Sequence, residues 1–266
     1  MNLFVTALNS GSNGNCYYVG NEQEAVLIDA GISCRETEKR MARLGLSMHK
    51  VKAIFISHEH SDHVRGVRVL SKKYQLPIYI TPGTLQNAPI DEHNPRIVRL
   101  TAFEPIQIGS LSVKAFPKNH DARDPHSFII SNGKVCVGVF TDIGVTCENL
   151  IEHFKCCHAA FLEANYDTKM LYEGKYPYYL KKRIDSDKGH LSNEQALELF
   201  LNHKSPELTH LFLSHISKEN NSPEVIRNLF MPHAGNVEVI LASRESEIPV
   251  YEIGLPVTAQ AISHIF

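Results

Sequence analysis

The sequence predicts an α/β (α+β) protein arranged as a four-layer αββα sandwich, in one domain spanning 1–266. Two observations predict it. Short, β-rich apolar runs recur along the whole chain, with helical spacing between and after them. Several of these runs end in a histidine or an aspartate, which is how a layered sheet delivers side chains to one rim. With 266 residues and 43% hydrophobic content, the chain has enough apolar material for such a core.

Residues 4–8 read as the first strand, followed by a turn-rich stretch at 9–15. Strands continue at 16–19 and 25–28 around Gly20-Asn21, and the second ends in Asp29-Ala30-Gly31. Helical spacing over 36–44 closes at Gly45. The central strand is 51–56, a helix follows over 64–74, and 77–80 is another strand. Further strands fall at 96–100, 105–108 and 111–116, and a hairpin joins 126–130 to 134–140 across Asn132-Gly133. Helices are expected at 147–154, 193–203 and 223–230, with Ser192 or Asn193 capping the second. Strands recur at 159–162, 208–213 and 237–242.

The net charge of −2 gives no global field, so any nucleic-acid contact must come from a local patch. Six cysteines occur without a C-x-x-C pair, and the N-terminus lacks the basic and apolar regions of a signal peptide. No apolar run of about 18 residues exists, which argues against a membrane partner. A cytoplasmic protein with reduced cysteines is expected, with Cys156 and Cys157 as small buried hydrophobes.

The chemistry concentrates at Ser57-His58-Glu59-His60-Ser61-Asp62-His63, just past the central strand. On extended backbone His58, His60 and Asp62 point to one side, and His63 comes in from the turn. Imidazole nitrogen with carboxylate oxygen suits zinc, manganese or iron better than calcium. A merely histidine-rich turn is the bland alternative, and the spacing outweighs it. Three later strands each end in a further donor: His120, Asp142 and His215.

This series resembles the metallo-β-lactamase superfamily, through Asp29 with Gly31, the cluster from His58 to His63, His120, Asp142 and His215. The resemblance implies two divalent ions, zinc or manganese first and iron as the alternative. It puts His58, His60 and His120 on one ion, Asp62, His63 and His215 on the other, and Asp142 between them. Asp29 becomes a structural acid under the metal-site turn. Glu163, and Gly189-His190-Leu191-Ser192-Asn193, resemble the branch containing ribonuclease Z and the β-CASP nucleases, in which the glutamate orients the histidine. Ser10-Gly11-Ser12-Asn13-Gly14-Asn15 and the stretch from Ser214 to Asn221 narrow the resemblance to the YycJ/WalJ exonuclease family. Departures fall at His126 and Tyr166, and the stretch between Glu163 and His190 is too short for a β-CASP insertion.

What the resemblance implies is hydrolysis of phosphodiesters, as a 5′–3′ exonuclease on DNA, by a hydroxide generated between two ions. Asp62 would orient that hydroxide, and His190, held by Glu163, would protonate the leaving oxygen. RNA is the alternative polymer, and the oligomeric state is left open. Substrate contacts are expected from Ser10, Ser12 and Asn13, from Lys182 and Arg183 among interleaved tyrosines, and from Asn220. Two other functions compete: a small-molecule (cyclic or nucleotide) phosphodiesterase with the same core, and a catalytically silent nucleic-acid-binding subunit.

Overall fold

The computed structural model describes residues 2–255, so the tail of the expected domain, 256–266, lies outside the described residues. The chain opens with β1 (Leu3–Asn9), β2 (Cys16–Gly20), β3 (Ala25–Ile28), α1 (Cys34–Arg43) and β4 (Val51–Phe55). Then come α2 (Ser61–Val64), α3 (Val67–Tyr74), β5 (Ile78–Ile80), α4 (Pro82–Asn87) and β6 (Ile97–Arg99). The second half runs β7 (Ile106–Ile108), β8 (Leu111–Pro117), β9 (His126–Ser131), β10 (Cys136–Phe140), α5 (Glu148–Phe154) and β11 (Ala159–Glu163). It ends with α6 (Thr168–Glu173), α7 (Tyr178–Ile184), α8 (Asn193–His203), β12 (His210–Ser214), α9 (Pro223–Phe230), β13 (Glu238–Leu241) and β14 (Tyr251–Ile253).

The strands form two seven-stranded sheets, ordered β14-β1-β2-β3-β4-β5-β6 and β13-β12-β11-β10-β9-β8-β7. Alternate residues of both sheets meet in one apolar core. Phe55 of the first sheet packs edge-on against Phe128 of the second at 5.8 Å, and Tyr17 meets Phe161 at 5.0 Å. Each such buried ring contributes roughly 1.5–3 kcal/mol by leaving water. The outer face of the first sheet carries Met41 of α1 and Val67 and Leu70 of α3, and that of the second carries Leu150, Phe200 and Phe230 from α5, α8 and α9. The layer order is αββα, as the sequence predicts.

Ser33 caps α1 by accepting the Glu36 N–H, and Ser192 forms a reciprocal capping box with Gln195 at α8. The helix expected over 64–74 is broken at Gly66, whose N–H donates to the Ala30 carbonyl at 2.7 Å. A Cβ there would sit 2.1 Å from the Ile32 carbonyl oxygen, so the close approach of two loops overrides helical spacing. The short elements α4, α6, α7 and β14 have no counterpart in the sequence reading. In α7 no residue is buried, so there is no apolar stripe to detect. Cys157 is buried as expected, whereas Cys156 is exposed, because it follows the last turn of α5 on its solvent side.

The parallel strands β3 and β4 of one sheet, and β10, β11 and β12 of the other, end at the same rim. Asp29, Ser57, Asp142, Glu163 and His215 all sit at or just past those ends.

Candidate metal centre

Asp29 is fully buried and has a left-handed backbone, φ 61°. Its Oδ1 accepts the Ser57 N–H at 2.8 Å, while Oδ2 accepts the Ser57 hydroxyl at 2.8 Å and His63 Nδ1–H at 2.7 Å. One carboxylate thus fixes both the start of the histidine turn and the ring that closes it. Gly31 completes the packing: a Cβ there would lie 1.6 Å from the Asp62 carbonyl oxygen. Asp142 and His215 are likewise left-handed, at φ 56° and 54°. Strained backbone of this kind persists where surrounding structure over-determines it.

Three rings have one nitrogen committed and the other aimed inward. His63 gives Nδ1 to Asp29, His120 gives Nδ1 to the Gly189 carbonyl at 3.0 Å, and His215 gives Nδ1 to Glu163 Oε1 at 2.8 Å. Each bond fixes a tautomer that leaves the Nε2 lone pair facing the cluster. His58 Nε2 lies 3.1 Å from His60 Nδ1, and His63 Nε2 lies 3.3 Å from Asp142 Oδ2 and 3.6 Å from Asp62 Oδ2. Asp142 Oδ1 is 3.9 Å from His120 Nε2 and 3.4 Å from His215 Nδ1, so the carboxylate stands between the two sets.

Electrostatics agree with a cation site. Burial pushes the His120 imidazole down to about 3 and that of His58 well below its ordinary value, so both are neutral donors. Burial also opposes charge on His63, but Asp142, Asp29 and Asp62 outweigh it and raise its pKa. Burial would raise Asp142, yet His215 and His63 hold its carboxyl well below the usual range.

The donor set fits divalent ions. Ligand atoms of His58, His60 and His120 lie within 4.8 Å of one another, as do those of His58, His63 and Asp142, and those of Asp142, Glu163, His190 and His215. His215 Nε2 is buried without a hydrogen-bond partner, a cost of about 1–3 kcal/mol that a cation removes, and Asp142 Oδ2 meets only His63 Nε2, at 3.3 Å. Nitrogen and oxygen donors without sulfur suit a transition-metal dication. Asp29→Asn keeps the shape but removes the charge that locks His63. It is expected to weaken metal affinity about 10–100-fold, read by titration calorimetry.

A cleft of about 290 Å³ opens on the cluster, lined by Ser12, Asp62, Arg183, His190 and His215 among others. His190 gives Nδ1 to Glu163 Oε1 at 2.7 Å. Glu163 is fully buried, and its Oε2 accepts the Ile143 and Leu191 N–H groups at 2.7 and 3.3 Å. Against that burial, His190 and His215 hold the Glu163 carboxyl down at about 2. Glu163 therefore ties the cluster histidine His215 to His190.

Of the residues expected to contact substrate, Ser12, Asn13, Lys182 and Arg183 are at the surface. Ser10 and Asn220 are corrections: both are buried. Ser10 Oγ accepts the His215 N–H at 2.8 Å and pairs with the Tyr17 hydroxyl, so it positions His215 instead of meeting substrate. Asn220 is covered where its N–H meets Ser217 and its carbonyl accepts the Asp167 N–H. Two residues were missed. Asn15 Nδ2 reaches Asp62 Oδ2 at 3.3 Å and His63 Nε2 at 3.1 Å. Lys118, buried behind the cluster, donates to the Thr141 carbonyl at 2.6 Å. The first lay within the noted turn, and no sequence signal marks the second.

A family model described as the beta-lactamase superfamily domain matches residues 24–216. The exodeoxyribonuclease YycJ of Bacillus anthracis is 34% identical over 234 residues, covering 85% of this chain and 87% of the relative. The exodeoxyribonuclease WalJ of Streptococcus pneumoniae is 31% identical over 225 residues, covering 82% and 83%. In architecture, the chain is similar to the metallo-beta-lactamase fold protein YhfI of Bacillus subtilis, with a TM-score of 0.73 at 17% identity, over 95% of this chain and 100% of the other. Fold, motif order and identity over more than four fifths of the chain agree: the chain belongs to the β-lactamase superfamily, in the family of the YycJ and WalJ exodeoxyribonucleases.

Proposed function

We propose that this chain, as one domain, is a dinuclear metal-dependent phosphodiesterase acting as a 5′–3′ exonuclease on DNA. The observation that carries the reading is the Glu163–His190 pair, which opens onto the same cleft as the histidine–aspartate cluster. A nucleolytic centre needs both parts, a place for cations and a proton donor for the leaving oxygen. DNA is supported by identity to the two exodeoxyribonucleases, and the 5′–3′ direction is carried over from the family resemblance.

His58, His60 and His120 would hold one ion, Asp62, His63 and His215 the other, with Asp142 shared. When bound, such a pair of ions supplies Lewis acidity, acidifying water and neutralising charge on phosphate oxygens. Zinc or manganese fits these donors best, and iron is tolerated. Asp62 has one oxygen steadied by Asn15 and would orient the attacking water. Water's oxygen bonds to phosphorus and gives up a proton to solvent as the ester P–O bond breaks, and the departing oxygen takes a proton from His190 Nε2, which solvent then restores. Glu163 keeps the ring in place and compensates its charge.

On the substrate side, Arg183 borders the cleft and is held by Asp121. The first turn of α7 exposes Tyr178 by 69% and Tyr179 by 76%, and Lys182 Nζ stands 5.7 Å from the Tyr178 ring centre. Exposed rings beside cations make a platform for unpaired bases. All described cysteines are free, which fits a reducing, cytoplasmic compartment. No described helix is long and apolar enough to cross a membrane.

Protein loaded with manganese or zinc, given 5′- and 3′-end-labelled DNA, RNA and bis(p-nitrophenyl) phosphate, tests the reading. Metal-dependent nucleotide release from DNA, lost in His60→Ala, is expected. Turnover of the small diester alone would move the assignment to a small-molecule phosphodiesterase. No turnover at full metal occupancy would leave a binding subunit.

A further inference from the structure

Just past His215, the chain runs through Ile216, Ser217 and Lys218 along a second cavity of about 400 Å³. The 10–13 turn joins this cavity to the metal cluster. Ser10 accepts the His215 N–H at 2.8 Å and donates its own N–H to the Ser243 carbonyl at 3.0 Å, and Asn13 Nδ2 donates to the Arg244 carbonyl at 2.7 Å. Ser12 of the same turn lines the catalytic cleft, while Ser243 and Arg244 line the second cavity. Lys218 is three residues from His215, so their backbones lie within about 10 Å of each other at the greatest reach of a chain.

Lys218, Arg227 and Arg244 line this cavity, and among the described residues none of their cationic heads makes a hydrogen bond or ion pair. One carboxylate, Glu245, shares the lining, so positive charge is in excess there although the chain as a whole is at −2. Like charges gathered without a counter-ion repel, and an anion placed among them gains from every one. Arginine forks match phosphate oxygens in pairs, and the hydroxyls of Ser217 and Ser243 are in the same lining.

We infer that this cavity is a phosphate subsite, which holds a backbone phosphate of the polynucleotide whose reacting phosphodiester lies at the cluster. The inference rests on the phosphodiesterase reading and adds a chain-length requirement to it. A small diester fills the cleft alone. A polynucleotide spans cleft and cavity, with the 10–13 turn as the ridge between them.

The double variant Lys218→Gln/Arg227→Gln tests this, since both side chains are exposed and a thermal melt should match wild type. Binding of fluorescent single-stranded DNA by metal-free protein is expected to weaken about tenfold or more, the worth of lost charged hydrogen bonds. The slope of log affinity against log salt should shrink by about 0.7 for each lost phosphate contact. With the metal-loaded protein, kcat/KM for bis(p-nitrophenyl) phosphate should stay within about twofold, while that for an oligonucleotide falls with the affinity. Unchanged oligonucleotide binding, or an equal loss on both substrates, would overturn the subsite while wild-type turnover left the phosphodiesterase reading intact. Wild-type protein that hydrolyses neither substrate would instead remove that reading, and the subsite with it.

Discussion

His190→Ala is expected to lower kcat by about 10²–10⁴-fold, the usual contribution of a positioned general acid. Metal content should not change, and that separates proton donation from ligation. The ring of His190 has Nδ1 committed to Glu163 at 2.7 Å, and it borders the cleft beside His60, His120 and His215. KM should move little, because the proton is needed as the ester oxygen departs and not when substrate docks. An ester with an acidic leaving group, such as p-nitrophenolate, needs that proton least, so its loss should be smaller than for DNA. Metal analysis and the two substrates together decide the case. A fall in bound metal, or equal losses on both substrates, would make His190 a ligand instead.

The clustering of histidines and aspartates at one rim was legible in the sequence because its logic is local. Apolar runs of period two mark strands, and a donor placed just past a strand end must lie at the rim of the sheet. His120, Asp142 and His215 each follow that pattern, and parallel pairing of β10, β11 and β12 puts Asp142, Glu163 and His215 side by side. What stayed hidden depends on distance in space. Ser10 sits in a Gly/Asn-rich turn that resembles an anion nest, yet folding buries it under a residue more than two hundred positions away. Lys118 follows a strand like any surface lysine and becomes buried when the two sheets close. The stretch containing α7 lacks an apolar stripe, so residue type alone shows its tyrosines and cations but not the helix that presents them.

Glu163→Gln should be more damaging than its small change of shape suggests. The carboxylate is fully buried and accepts four donors: Nδ1–H of His190 and of His215 at one oxygen, and the Ile143 and Leu191 N–H groups at the other. A carboxamide has one accepting oxygen, so its NH₂ must face either two imidazoles or two backbone amides. If the amide oxygen stays with the backbone, both rings must shift their proton to Nε2. His215 then loses the lone pair it turns toward the cluster, and metal affinity should drop about 10–100-fold. His190 loses the carboxylate that holds its ring in place, so kcat at saturating metal should also fall, by about 10²–10⁴-fold. If the oxygen turns to the rings instead, two buried N–H groups are orphaned and stability falls by about 1–3 kcal/mol for each. A thermal melt, a metal titration and a kcat at saturating metal separate these outcomes. A variant with wild-type metal affinity and stability, slowed only as much as His190→Ala, would show that Glu163 acts through His190 alone and that its bond to His215 is incidental.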